Sequence, residues 1–116
     1  MSNVEKVIIV EGKSDKKRLQ RVLKDNVEIR CTNGTISYQM MEAFVEELFD
    51  KEVYILADSD ESGEKLRKQF KREMPAASHI YIDRAYREVA ATPEHHLASV
   101  LLGSNFQVHT QFLNKG

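Results

Sequence analysis

The sequence has one cysteine, two prolines and five glycines, and it contains no long apolar run. The single cysteine, Cys31, cannot form an internal disulfide, and the first residues lack the basic start and apolar stretch of a signal peptide. No apolar stretch approaches the ~20 residues that a membrane span needs. Neither repeats nor low-complexity segments occur. These absences favour a cytoplasmic location and no membrane partner.

The chain has 116 residues, which fits one folded domain with one core. We expect residues 1–116 to form a single domain, with its core at about 4–102 and an extension over 103–116 that is a short strand or a loose tail. We expect this length to leave no room for a second folded unit. The formal net charge is −1, so the whole molecule is not strongly attracted to polyanions.

Short β-branched runs alternate with helical patterns along the chain. Alternating strands and helices predict parallel strands joined by right-handed helical crossovers, which is an α/β fold. We expect a three-layer α/β/α sandwich with a mostly parallel four-stranded sheet. The predicted strands are 5–10, 27–31, 52–58 and 78–82, and the predicted helices are 14–25, 36–49, 61–73 and one that begins with Thr92 as N-cap and Pro93 as first residue.

The second predicted helix carries apolar residues at helical spacing, which predicts a wide buried stripe. The members of this stripe are Met40, Met41, Phe44, Val45, Leu48 and Phe49.

Two apolar runs end in carboxylates. The run Val7–Val10 leads into Glu11, and the run Val53–Ala57 leads into Asp58 and Asp60. Ligands of open parallel sheets bind at the carboxyl ends of the strands, so we expect the three carboxylates to converge there. Like charges in one crevice repel unless a cation or proton is shared, and oxygen ligands with open positions suit Mg²⁺ or Mn²⁺. The sequence therefore predicts metal ligands at these three residues.

Basic residues are concentrated on the helices that follow the two carboxylate clusters. Six of the 17 lie between Lys13 and Lys24, and five more lie between Lys65 and Arg72. The simple interpretation is that these basic residues form solvated helix faces. Because they flank a predicted metal crevice, contact with a phosphate backbone is an equally good interpretation. The candidate phosphate or nucleic-acid contacts are Gly12, Lys13, Lys16, Lys17, Gly34, Arg67 and Lys68, in which the glycines admit a close phosphate or serve as plain turn residues.

Three motifs in this order and spacing resemble the Toprim family: Glu11-Gly12, then Thr32-Asn33-Gly34-Thr35, then Asp58-x-Asp60-x-x-Gly63. The resemblance covers about residues 4–102, and its nearest variant is the Toprim half of the ribonuclease that matures 5S ribosomal RNA. The segment 87–90 also resembles that ribonuclease. Many topoisomerases carry a third acid where this chain has Ser62, so a two-metal site would need Asp15 or substrate oxygens.

The resemblance implies a catalytic role for Glu11 as general acid or base in phosphoryl transfer, while Asp58 and Asp60 bind a metal ion. A structural role is the alternative for each. Glu11 would then stabilise a helix N-terminus, and Asp60 would be an N-cap, which does not preclude metal binding. The adjacent His95 and His96 lack the spacing of a zinc site.

The leading hypothesis is a stand-alone Mg²⁺-dependent Toprim domain that acts on or binds nucleic-acid phosphodiesters, with RNA favoured and with a protein partner or a homodimer supplying substrate choice. The second is a non-catalytic metal-binding scaffold of an RNA- or DNA-processing complex. The third, less favoured, is a receiver-like domain phosphorylated on Asp58. A receiver needs two acids after its first strand, whereas this chain has Glu11-Gly12.

Overall fold

The computed structural model describes residues 4–113. Four parallel strands form one sheet in the order β2-β1-β3-β4, and four α-helices connect and follow them. The strands are β1 (Lys6–Val10), β2 (Glu28–Cys31), β3 (Glu52–Leu56) and β4 (Ser78–Ile80). The helices are α1 (Lys13–Val22), α2 (Tyr38–Leu48), α3 (Glu61–Glu73) and α4 (Glu94–Gly103).

Strand β1 shows why the sheet is covered on both faces. Its side chains alternate, so Ile8 and Val10 enter one core while Val7 and Ile9 enter the other, and all four are fully buried. An apolar run with no polar alternation is the pattern of a strand buried on both sides. The three-layer α/β sandwich predicted from the sequence is thereby confirmed.

Each core is completed by two helices. Helices α1 and α4 pack on one face, through Leu19 and Leu97 among others. Helices α2 and α3 cover the other, where the rings of Phe44 and Phe70 stack with centroids 6.4 Å apart. None of the helices among residues 4–113 is long and apolar enough to cross a membrane.

The predicted buried stripe on α2 is wrong at two positions. Phe49 is 82% exposed and Val45 is 38% exposed. A helix that lies on a sheet buries a limited arc, here Met41, Phe44 and Leu48, and the residues beyond that arc face solvent.

The last helix begins one residue later than predicted, with Pro93 as its N-cap and Glu94 as its first residue. Thr92 does not cap it, because the Thr92 hydroxyl donates instead to the carbonyl of Glu88 in the preceding turn. After α4 the chain is not a loose tail, since Phe106 and Val108 are buried in the core. The rest of the predicted extension, 114–116, lies outside the described residues.

Candidate functional site

The pairing of β1 with β3 places Glu11 beside Asp58. The two strands run parallel with Ile9 opposite Ile55, so both end at the same edge of the sheet. Across that edge, Oε2 of Glu11 accepts a hydrogen bond of 2.9 Å from the backbone N–H of Asp58. The strand ends predicted that Glu11, Asp58 and Asp60 converge, and the structure brings Glu11 and Asp58 of this set into contact.

The side chain of Asp58 is held from a third direction, by the loop between β4 and α4. Its Oδ1 accepts a hydrogen bond of 2.8 Å from the backbone N–H of Val89, and the N–H of Ser59 donates to the carbonyl of Arg87. Arg87 has a φ of +61°, and the N–H of Glu88 donates to the carbonyl of Tyr86 across it. This tight turn brings residues 87–89 against the end of β3. The only sequence signal for it was the loose resemblance of residues 87–90 to the ribonuclease.

Asp60 is the N-cap of α3, as its alternative interpretation predicted. Its Oδ1 accepts a hydrogen bond of 2.8 Å from the N–H of Gly63, while the backbone of Asp60 stays extended. Gly63 is required for a different reason: a Cβ at this position would lie 2.0 Å from the carbonyl oxygen of Asp58. The spacing Asp58-x-Asp60-x-x-Gly63 therefore has a steric basis, because only glycine lets α3 start so close to the end of β3.

The crevice disfavours ionisation of Glu11 and Asp58 relative to ordinary carboxyls. Burial raises the pKa of Glu11, and the nearby charges of Asp58, Asp60 and Asp15 raise it further, against the opposing hydrogen bond from Asp58 N–H. Burial also raises the pKa of Asp58, with Asp60 and Glu88 adding to the effect. Both groups thus hold their protons more tightly than ordinary carboxyls.

Asp15 and Glu88 extend the acidic character of the crevice. Asp15 is buried at the start of α1, where its Oδ2 accepts a 3.0 Å hydrogen bond from the N–H of Gly12. Burial raises the pKa of Asp15, and the charges of Asp58 and Glu88 add to this. Glu88 was not among the residues proposed from the sequence, because its position far along the chain gave no sign of proximity.

The donor chemistry of the crevice fits a hard divalent cation. One oxygen of Glu11 and one of Asp58 are bonded to backbone N–H groups, and the second oxygen of each is not used by these bonds. Within residues 4–113, no three Asp, Glu, His or Cys side chains are grouped closely enough to hold an ion among themselves, so Glu11, Asp58 and Asp60 are not brought together as the ready ligand set predicted from the sequence. Mg²⁺ is commonly bound by one or two carboxylates and completes its octahedral shell with water or phosphate oxygens.

The lysines proposed as phosphate contacts lie on accessible surface. Lys13 is exposed at the first residue of α1, shortly after Glu11, and Lys17 and Lys68 are exposed as well, whereas Lys16 is half-buried. Whether they bind phosphate stays a prediction.

The two proposed glycines differ. Gly12 has an extended backbone, and a Cβ there would have 3.8 Å to its nearest neighbour, so the position would accept other residues. Gly34 has a φ of +99°, which favours glycine and fits the turn interpretation.

The proposal that Arg67 contacts phosphate is wrong. Its side chain is 1% exposed, and its guanidinium donates to the carbonyls of Ala57 at 3.1 Å and Ile80 at 2.7 Å. A further bond of 3.1 Å joins it to Nδ1 of His79, whose pKa is lowered to about 4 by burial and by the adjacent Arg67 charge. Arg67 thus ties the ends of β3 and β4 together beneath the crevice.

Comparisons with known proteins agree with this architecture. The sequence pattern described as "Toprim domain" matches residues 6–86. The chain is 60% identical to the uncharacterized protein YusF of Bacillus subtilis over 115 residues, covering 99% of this chain and 79% of that protein. It is 36% identical to ribonuclease M5 1 of Ligilactobacillus salivarius over 83 residues, which cover 70% of this chain and 43% of the relative. The chain therefore spans less than half the length of that ribonuclease.

A solved structure gives the same fold. A small TOPRIM domain protein from Bacillus stearothermophilus superposes with a TM-score of 0.94 at 57% identity, over 99% of this chain and 98% of the other. The strand order, the Glu11–Asp58 contact, the sequence match and this structural likeness lead to one conclusion. The chain belongs to the Toprim family.

Proposed function

We propose that this protein binds Mg²⁺ or Mn²⁺ in the crevice of Glu11, Asp58 and Asp60 and acts on phosphodiester bonds of nucleic acid, RNA in particular. The observation that supports it most is the Glu11–Asp58 contact, because it joins two acids of raised pKa at the edge where α/β sheets bind ligands. The relationship to ribonuclease M5 proteins supports RNA as the substrate class. Family membership argues against the receiver alternative.

Glu11 is the group we assign to proton transfer. Its Oε2 is fixed by the Asp58 N–H, which leaves Oε1 to give or accept a proton at the attacking or leaving oxygen. A raised pKa lies closer to neutral pH, where a carboxyl can serve both as proton donor and as proton acceptor. Asp58 and Asp60 are the residues that would hold the cation, which when bound supplies positive charge to neutralise the phosphoryl oxygens.

Lys13, Lys16, Lys17 and Lys68 would hold the backbone of the nucleic acid on either side of the crevice. They lie on α1 and α3, the two helices whose N-termini face the site. Such contacts position the substrate and carry little sequence information. Substrate choice would therefore come from a protein partner or a second copy of the chain.

A cleavage assay tests the proposal. A 5′-labelled structured RNA is incubated with the protein, with and without Mg²⁺. We expect Mg²⁺-dependent cleavage that falls by about 10²-fold or more in Glu11→Gln, the usual size of an acid–base contribution. Glu42→Gln, which removes an exposed acid on α2, is the matched control and should cleave like wild type. Equal cleavage by Glu11→Gln and wild type would refute the role of Glu11.

A non-catalytic scaffold is the second candidate. The ribonuclease relative has more than half of its length outside the region that this chain matches, and part of its activity can reside there. The scaffold proposal predicts Mg²⁺-dependent RNA binding without cleavage. Binding in a mobility-shift assay together with intact RNA after long incubation would favour it over the nuclease.

A further inference from the structure

An apolar groove lies at the end of the molecule opposite the carboxylate crevice. Its wider part has a volume of about 500 Å³ and is bordered by the starts of β3 and β4, at Glu52 and Ser78. Because parallel strands share one direction, this is the amino end of the sheet. The apolar lining comes from Val45, Leu48, Phe49, Met74, Ala76 and Ala77.

The groove continues along α2. A second hollow of about 280 Å³ shares Val45 and Glu73 with the first and reaches Tyr38. Tyr38, Val45 and Phe49 stand at positions i, i+7 and i+11, on one side of the helix, and are 75%, 38% and 82% exposed. Exposed apolar side chains grouped on one side of a helix in this way mark a candidate interaction site.

The rim of the groove is acidic. Glu42, Glu46 and Glu73 border it, and Asp50 follows Phe49 directly. The basic residue that lines the groove, Lys51, pairs with Glu5 at 2.7 Å. Because Glu73 is itself paired with Arg72 at 2.9 Å, the acidic character of the rim rests mainly on Glu42 and Glu46. A nucleic acid would be repelled by this rim, and two copies of the chain would bring like charges together.

We propose that this groove binds a basic amphipathic segment of a protein partner, with apolar residues entering the groove and Lys or Arg residues on the acidic rim. The exposed stripe runs from Tyr38 to Phe49, that is, along the 11 residues of α2 and its C-cap. Its length of about 16–18 Å matches roughly three turns of a docked helix. A partner held here leaves the opposite end, with Glu11 and Asp58, open to substrate.

Two synthetic helical peptides of about 14 residues test the proposal. They share one leucine face and carry either lysine or glutamate on the polar face. In an NMR titration of the ¹⁵N-labelled protein, the lysine peptide should shift the amide signals of Val45, Phe49 and Ala76 and leave those of Asp58 and Val89 in place. The glutamate peptide should bind at least about tenfold more weakly, because like charges meet at the rim.

Variants separate the apolar and charged contributions. Phe49→Ser should weaken the lysine peptide about tenfold or more, as loss of an anchor does. Glu42→Lys with Glu46→Lys should reverse the preference between the two peptides. Leu102→Ser is the matched control, since Leu102 is 45% exposed on α4, across the sheet from the groove, and should change nothing. Unaltered thermal unfolding would show that Phe49→Ser folds.

Three results would overturn the proposal. Equal binding of both peptides would make the groove merely apolar. Shifts centred on Asp58 would place the lysine peptide in the crevice. A dimer that sedimentation detects and Phe49→Ser dissociates would assign the groove to a second copy. Failure of the proposed RNA activity can be distinguished from failure of the proposed groove. Phe49→Ser should cleave RNA normally, and Asp58→Asn should bind the lysine peptide normally.

Discussion

Oε2 of Glu11 accepts the backbone N–H of Asp58 at 2.9 Å, across the adjacent ends of β1 and β3. This contact joins two residues 47 positions apart in sequence. The contact fixes the direction of the Glu11 carboxylate, and a separate hydrogen bond from the Val89 N–H fixes that of Asp58. Backbone N–H groups therefore hold both carboxylates in position before any ligand binds. The free-energy cost that remains is that of ionising carboxylates that are partly buried and close to one another.

Asp58→Asn should stabilise the metal-free protein at pH 7, by about 0.5–1 kcal/mol in a partly solvent-screened site. The pKa of Asp58 is raised in the folded state, so its ionisation costs stability at every pH above that raised value. The cost disappears once the pH lies below the ordinary pKa of aspartate, where the side chain is protonated in both the folded and the unfolded protein. Urea unfolding at pH 7 and pH 3.5 measures the difference. A destabilised mutant at pH 7 would contradict the prediction.

Gly63→Ala should destabilise the fold by about 1–3 kcal/mol, the usual cost of inserting a methyl group where no space exists. Its Cβ would lie 2.0 Å from the Asp58 carbonyl, so α3 or the end of β3 must move. Gly12→Ala is the matched control, with 3.8 Å of clearance and an extended backbone, and should cost much less. Denaturant midpoints compare the two. Similar losses at both positions would show that the close approach is not the reason for Gly63.

Arg67→Met should destabilise the protein by about 3 kcal/mol, because the carbonyls of Ala57 and Ile80 lose charge-assisted hydrogen bonds in the interior. Arg67→Lys should recover only part of this, since one ammonium group cannot reproduce the planar fork. Lys68→Met, on the exposed next residue, is the control and should leave stability almost unchanged. Equal stability of the Arg67→Met protein and wild type would show that the buried guanidinium is dispensable.

Charge reversal at Lys13 should weaken RNA binding more than reversal at Lys17, because Lys13 begins α1 and is closer to Glu11 along the chain. Each lost phosphate contact lowers the slope of log affinity against log salt by about 0.7 for single-stranded RNA. Anisotropy titrations between low and physiological salt measure that slope. An unchanged slope in both Lys13→Glu and Lys17→Glu would remove α1 from the binding surface.

The sequence predicted what depends on strand order. Alternating elements with parallel strands place Glu11 next to Asp58, and the structure has them in contact. The sequence did not predict which side chains are buried. Arg67 lies on the buried side of α3 with Leu66 and Phe70, so its charge led to a wrong assignment as a phosphate contact. Phe49 failed in the opposite sense, as an apolar residue that stays exposed.

Contacts made by loops were the least predictable part of the site. The Val89 N–H reaches Asp58 only because of the tight turn at Arg87, and a φ of +61° at an arginine has no signature in sequence. Glu88 came into the crevice with that loop. The resemblance of residues 87–90 to the ribonuclease indicated the region without giving its role.

Paramagnetic line broadening by Mn²⁺ would show whether the crevice of Glu11, Asp58 and Asp60 binds a divalent cation. Small amounts of Mn²⁺ are added to the ¹⁵N-labelled protein, and the loss of amide signals is mapped residue by residue. We expect broadening centred on Glu11, Asp58, Asp60 and Val89, and we expect it to disappear when both aspartates are changed to asparagine. Broadening that instead centres on the acidic surface of α2, or that persists in the double variant, would contradict the metal site.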